Sequence, residues 1–187
     1  GNLATAYYPS DADTADGFII LTLTSTGNGT CAAVADVLNL TITPEPTANA
    51  GSNQIVCGNN AVAVMAGSKT IATGVSWTTS GTGTFDNNTS LVAVYTPSAA
   101  DTTAPGNAII TLTMTTTGNG SCGAAVSAMT LTITDAPIAY AGSNQSVCAN
   151  NAVTTLDGSV KDATGGSWAT LGGGSFGNPL ILNTAYT

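Results

Sequence analysis

Histidine and arginine are absent from the 187 residues, and Lys69 and Lys161 are the only cationic side chains. Two cations cannot neutralise a phosphate backbone, because affinity for nucleic acid rests on the counterions that Lys and Arg displace. Nucleic acid is excluded as a partner on that ground, and the same shortage argues against docking on anionic lipid. Without histidine the usual general base is missing, and with it the common hydrolytic triads and any mixed cysteine–histidine zinc centre. Glu45 is the only glutamate among ten acidic residues, and the formal net charge is −8. The aspartates are dispersed along the chain, so no paired-carboxylate site is apparent and no enzyme activity is expected. No run of 18 apolar residues occurs, and the first residues show no basic region leading into an apolar core. Neither a membrane span nor a signal peptide is therefore expected, and no direct membrane insertion.

Charged residues make up 6% of the chain and hydrophobic residues 43%, with Thr, Ser, Asn and Gly supplying most of the polarity. Low charge does not mean disorder here, because the apolar residues alternate in an orderly way. In "AIITLTMTT", Ile110, Leu112 and Met114 fall on one face and Thr111, Thr113 and Thr115 on the other. The same rule puts Ile19, Leu21 and Leu23 inward in an earlier segment, and Met129, Leu131 and Ile133 inward in a later one. A period of two with β-branched residues on the wet side predicts half-buried antiparallel strands. No segment shows a helical stripe with caps.

The chain also matches itself at an offset of 91. Cys31 meets Cys122, Cys57 meets Cys148, Trp77 meets Trp168, Phe85 meets Phe176 and Tyr95 meets Tyr186. "AGSNQIVCGNNAV" (50–62) meets "AGSNQSVCANNAV" (141–153), and "TSTGNGTC" (24–31) meets "TTTGNGSC" (115–122). A period this long suits a complete domain better than a solenoid turn. Within one period, strands are predicted near 53–57, 61–66, 74–79, 82–85, 90–95, 108–116 and 125–134, punctuated by Gly and Asn clusters. Seven short strands with one Trp near the third predict an all-β fold: tandem antiparallel immunoglobulin-like β-sandwiches of about 91 residues. Trp77, Trp168, Phe85, Phe176, Tyr95 and Tyr186 are then the expected core aromatics.

Two frames divide the chain. The proline-bearing stretches "TPEPTANAG" and "TDAPIAYAG" read as linkers, giving the back part of one domain (1–43), a complete domain (44–135) and the front part of a third (136–187). A cut at "YTPS" gives 1–95 and 96–187 instead. The four cysteines are 26, 65 and 26 residues apart, which does not suit an all-cysteine zinc site. Disulfides are expected at Cys31, Cys57, Cys122 and Cys148, implying an oxidising, extracellular setting. Pairing Cys31 with Cys57 and Cys122 with Cys148 closes equal loops, whereas pairing Cys57 with Cys122 stays within 44–135. Simple sandwich topology puts Cys57 and Cys122 at opposite poles, roughly 25–30 Å apart. Both pairings stay open.

The densest acidic cluster, "SDADTADG", offers Asp11, Asp13 and Asp16 as calcium ligands, calcium being the one ion or cofactor considered. The competing expectation is a solvated turn whose aspartates accept backbone N–H bonds.

The motif order AG-x-N-Q-x-V-C, S-W, Y-T-P-S-A-x-D and G-N-G-x-C resembles repeats of giant Bacteroidetes cell-surface proteins, including gliding-motility adhesins built from PKD-like or immunoglobulin-like domains. The resemblance implies an extracellular, cell-surface structural stalk or adhesive module in gliding motility or attachment. Its partners would be neighbouring repeats, surface polysaccharide or another cell-surface protein. It also implies O-glycan acceptors at Thr14 in "DTA" and Thr102 in "DTT". Two alternatives accompany it: a carbohydrate-binding module of a polysaccharide-degrading protein, requiring Trp77, Trp168 and Tyr140 exposed and coplanar, and a subunit of an extracellular filament.

Overall fold

The computed structural model describes residues 4–104 and 106–187; residues 1–3, at the head of the first expected segment, and Pro105 lie outside the described residues. A short helix α1 (Asp11–Asp16) precedes a hairpin of β1 (Phe18–Thr24) and β2 (Ala35–Thr41). Next come β3 (Thr47–Asn49), β4 (Gln54–Cys57), β5 (Ala63–Val64), β6 (Ser68–Thr70), β7 (Gly74–Thr79), β8 (Thr84–Phe85) and β9 (Val94–Thr96). Helix α2 (Ala99–Thr103) then leads into the long hairpin β10 (Ala108–Thr117) and β11 (Val126–Thr134). The remaining strands are β12 (Ile138–Tyr140), β13 (Thr154–Thr155), β14 (Ser159–Lys161) and β15 (Ala185–Tyr186).

Among the described residues the strands fall into six small sheets, the largest ordered β4-β11-β10-β7. β10 pairs antiparallel with β11 and β7, while β4 joins β11 in parallel, with Cys57 opposite Thr134. The alternation of β10 and β11 drives this arrangement. Ile110, Leu112, Met114, Met129, Leu131 and Ile133 all point inward and are buried, while the intervening threonines face water or the edge. They pack with Val75 and Trp77 of β7 against Ala63, Met65, Ala93 and Tyr95, and every member of this core lies between Ala50 and Ile133. Each large side chain buried there contributes about 1.5–3 kcal/mol of transfer free energy. Gly118 turns the chain out of β10 at φ +66°, and a Cβ there would strike the Thr73 hydroxyl.

This architecture corrects the sequence expectation. The fold is mixed α/β, 8% helix and 37% strand, with six unclosed sheets in place of tandem all-β immunoglobulin-like sandwiches. The helices come from a signal that periodicity cannot see, since five or six residues never complete an apolar stripe. Each is instead set by a capping box. The Ser10 hydroxyl accepts from the Asp13 backbone N–H and the Asp13 carboxylate accepts from the Ser10 N–H; Ser98 and Asp101 repeat the arrangement. Gly17, left-handed at φ 72°, stops α1. The sheets stay open because several strands are only two residues long, too short to continue a ladder into closure.

The two sequence copies are also folded to unequal depth. β1 and β2 pair in the register of β10 and β11, Ile19 opposite Leu40 where Ile110 stands opposite Leu131. Yet Ile19 and Leu21, expected inward, are only half-buried, and Leu23 is 78% exposed. At the other end, β12–β14 and β13–β15 reproduce β3–β6 and β5–β9. The segments 145–148 and 165–170, which correspond to β4 and β7, are not strands.

Candidate functional site

The C-terminal part holds an open cleft of about 340 Å³ whose walls include Tyr140, Gly158, Val160, Gly166, Trp168 and Leu182. Its anchor is Trp168, whose backbone N–H donates to the Pro179 carbonyl at 2.8 Å and whose Nε1–H donates to the Leu182 carbonyl at 3.0 Å. Phe176 stacks on it at 6.5 Å and in turn meets Tyr186 at 5.1 Å. Gly158 is small for a reason: a Cβ there would sit 2.7 Å from the Trp168 ring and 3.1 Å from the Leu182 carbonyl oxygen.

Trp77 shows what this arrangement looks like when covered. Its N–H donates to Asn88 at 2.8 Å and its Nε1–H to Ser90 at 2.9 Å, with Phe85 at 6.2 Å and Tyr95 beyond at 5.0 Å. Gly67 matches Gly158, and a Cβ there would lie 3.0 Å from the Trp77 ring. The difference is the β10–β11 hairpin. The Met114 sulfur stands 2.8 Å from where a Gly67 Cβ would be, and Trp77 is 1% exposed. Over Trp168 no such side chain stands among the described residues, so the cleft is apolar, concave and open.

Of the expected core aromatics, Trp77 and Tyr95 are buried, Phe85 packs partly buried against the core, and Trp168, Phe176 and Tyr186 are half-buried around the cleft. The aspartates Asp11, Asp13 and Asp16 are strung along α1, and no group of three metal-ligating side chains converges among the described residues. Asp13 is already engaged: the Ser10 N–H at 2.8 Å and the Tyr7 hydroxyl at 2.7 Å donate to it, holding its carboxyl below the usual range. That same bond raises the Tyr7 hydroxyl. At Asp101 slight burial works against ionisation, but bonds from the Ser98 N–H, the Thr82 N–H and the Thr82 and Ser98 hydroxyls outweigh it and lower the carboxyl. Asp101 thereby ties α2 to the turn before β8. Thr14 is exposed on α1 with its hydroxyl on the Asp11 carbonyl, and Thr102 is half-buried on α2, bonding to Ser98 and Ala99.

All four cysteines are free thiols, Cys31 and Cys148 exposed, Cys57 and Cys122 half-buried. Cys57 sits opposite Thr134, and its Sγ approaches the Asp135 carbonyl oxygen at 3.8 Å. Cys122 lies beyond the far end of the same hairpin, its Sγ 3.7 Å from the carbonyl oxygens of both Thr43 and Pro44. The strand from Val126 to Thr134 separates these two poles by about 26 Å, far outside disulfide reach.

No protein-family model matches the chain, and no curated protein matches it. The resemblance to Bacteroidetes gliding-type surface repeats is accordingly corrected: a mixed fold with unclosed sheets is not a series of PKD-like or immunoglobulin-like sandwiches. The structural stalk or adhesive module falls with it, since the chain buries one core knit by its own hydrogen bonds. The carbohydrate-binding alternative fails on its own condition, because Trp77 is buried and cannot share an exposed plane with Trp168 and Tyr140.

Proposed function

We propose that the chain is a non-catalytic binding module whose cleft beside Trp168 is a seat for a β-hairpin. One observation carries this reading. Segments 145–148 and 165–170, "QSVC" and "GGSWAT", nearly match "QIVC" and "GVSWTT", which form β4 and β7. β4 and β7 are strands because β11 and β10 lie between them and pair with both. The corresponding segments hold the same chemistry, and among the described residues no pair of strands lies between them. Strand addition suits such a site: main-chain pairing supplies affinity and the pockets between side chains supply register. Leu182, Val160 and the Trp168 face give an apolar seat, and Gly158 leaves room for a large side chain as Gly67 does for Met114.

Chemistry other than binding has little to work with, since the sequence has no histidine and no group of three metal-ligating side chains converges among the described residues. An extracellular setting belongs to the same reading, because four cysteines in a chain without histidine suit structural disulfides, which persist in oxidising compartments.

The test is hydrogen exchange of the 187-residue chain with and without a synthetic peptide of sequence 108–134, the hairpin that fills the corresponding place between β4 and β7. Amides of 145–148 and 165–170 are expected to slow at least about tenfold while those of β10 and β11 stay unchanged. Unaltered exchange in both segments at saturating peptide would remove the reading.

A further inference from the structure

Independently of the cleft, we infer that the outer face of the β4-β11-β10-β7 sheet binds ice, its ligand being the ordered water at a crystal surface. β10 and β11 turn Ile110, Leu112, Met114, Met129, Leu131 and Ile133 into the core, so the residues between them line the opposite face. Thr111, Thr113 and Thr115 of β10 stand there with Thr130 and Thr132 of β11, and Thr78 of β7 joins them. The register sets Thr111 opposite Thr130 and Thr113 opposite Thr78. Thr78 and Thr111 are exposed, and the other four are half-buried.

Successive threonines on one strand are two residues apart, roughly 6.6–6.8 Å, and neighbouring strands lie about 4.7–4.9 Å apart. Both repeats are close to those at which oxygens recur on the prism face of hexagonal ice. A hydroxyl donates one hydrogen bond and accepts two, so a net of them can replace a layer of lattice water. These six hydroxyls have no hydrogen-bond partner among the described residues. Threonine hydroxyls elsewhere in the sheet are engaged: Thr79 donates to the Tyr95 hydroxyl, Thr134 donates to the Val56 carbonyl, and Thr116 accepts from the Ala125 N–H.

The face suits a neutral crystal in two further ways. None of the four strands contains a charged residue, so no tightly held hydration shell competes with the lattice. Ile109 and Ile55, 70% and 75% exposed, flank Thr132 and extend the patch with apolar surface. β-Propensity alone does not demand the pattern: where β10–β11 opposes Thr111 to Thr130, the β1–β2 pair opposes Ile20 to Asn39 at the same register. Strands rotate by roughly 20–25° from one to the next, so the net fits ice only over β10 and its immediate neighbours. A patch of that size shapes and slows crystals and does not arrest them under deep supercooling.

The test grows ice slowly from the full chain mixed with serum albumin and measures how much of each protein enters the ice. Crystal shape and recrystallisation are followed on the same samples. The chain should be enriched in ice over albumin, give faceted crystals and slow recrystallisation. The double variant Thr113→Lys, Thr130→Lys puts two strongly hydrated charges into the net and should lose all three effects at the parent's melting transition. If that variant melts early, Thr78→Tyr on the exposed edge strand takes its place, with a partial loss expected. Val64→Lys, at an exposed position of another sheet, should change nothing. Rounded crystals with exclusion from ice to albumin's level overturn the inference. So does ice binding that survives the threonine variants, or that Val64→Lys abolishes equally.

Discussion

Residues 44–135 and 136–187 use closely similar sequence to opposite effect. Both hold a Trp–Phe–Tyr row, a small glycine under the Trp, and matching two-strand ladders. In the first, the row closes into a core in which Trp77, Tyr95, Leu112 and Met114 are sealed from water. In the second, the row lines an open cleft, and "QSVC" and "GGSWAT" remain outside any sheet. The lesson is that strand identity here belongs to the pair and not to the segment. β-propensity expresses fit to neighbours on a pleated surface, so the same residues are strand or coil according to whether a hairpin lies against them.

Truncating the two tryptophans should separate the regions most sharply. Trp77→Ala removes the centre of the buried core between Ala50 and Ile133 and is expected to cost about 3–5 kcal/mol in denaturant unfolding. Trp168→Ala in the monomer should cost less than about 1 kcal/mol, since its ring already borders solvent. Equal losses would mean that the C-terminal part is as tightly packed as the centre.

Adding a methyl group beneath each ring probes the same contrast at smaller amplitude. Gly67→Ala pushes into the Met114 sulfur and the Trp77 ring, and about 1–3 kcal/mol of destabilisation is expected. Gly158→Ala puts its methyl 2.7 Å from the Trp168 ring and 3.1 Å from the Leu182 carbonyl oxygen, and a smaller loss than at Gly67 is expected, because the half-exposed ring can shift toward the cleft as the sealed Trp77 ring cannot.

The capping boxes give the smallest effect and the third comparison. Ser98→Ala removes an N-cap and should cost about 1 kcal/mol. Asp101 contributes through ionisation: its carboxyl is lowered in the folded chain, so its contribution is complete above the unfolded value near pH 3.9 and fades as pH falls through the lowered one. Asp101→Asn should therefore flatten the stability profile below about pH 4, as read by thermal melts across that range. Asp13→Asn on the exposed α1 should leave the core's transition unmoved at every pH.

The long strands were legible because alternation over nine or ten residues leaves few options: the strands expected at 74–79, 108–116 and 125–134 are found at Gly74–Thr79, Ala108–Thr117 and Val126–Thr134. β3 and β6 were missed, being three residues each with proline or lysine nearby. The helices escaped a search for stripes although Ser-x-x-Asp stood in the sequence at Ser10 and Ser98. The cleft was not legible at all. Trp168 and Trp77 have the same local context, and what seals Trp77 is the β10–β11 hairpin laid over it, a long-range fact. The separation of Cys57 from Cys122 could be reasoned from strand length, whereas the carbonyl oxygens beside each sulfur required coordinates.

The parallel seam between β4 and β11 bears on the order in which the molecule assembles. The Thr130 N–H donates to the Asn53 side-chain oxygen, and the Ala50 N–H to the Ser127 hydroxyl, across 77 residues of chain. The β10–β11 hairpin closes over a short loop and can form in microseconds, while the seam must wait for a far longer closure. Until β4 arrives, the nascent centre would present an open β11 edge, the complement of the gap in the C-terminal part, and a β4-like segment from elsewhere would compete for it. Slow zipping of that seam makes synthesis at high local concentration the moment when wrong exchanges between chains are easiest.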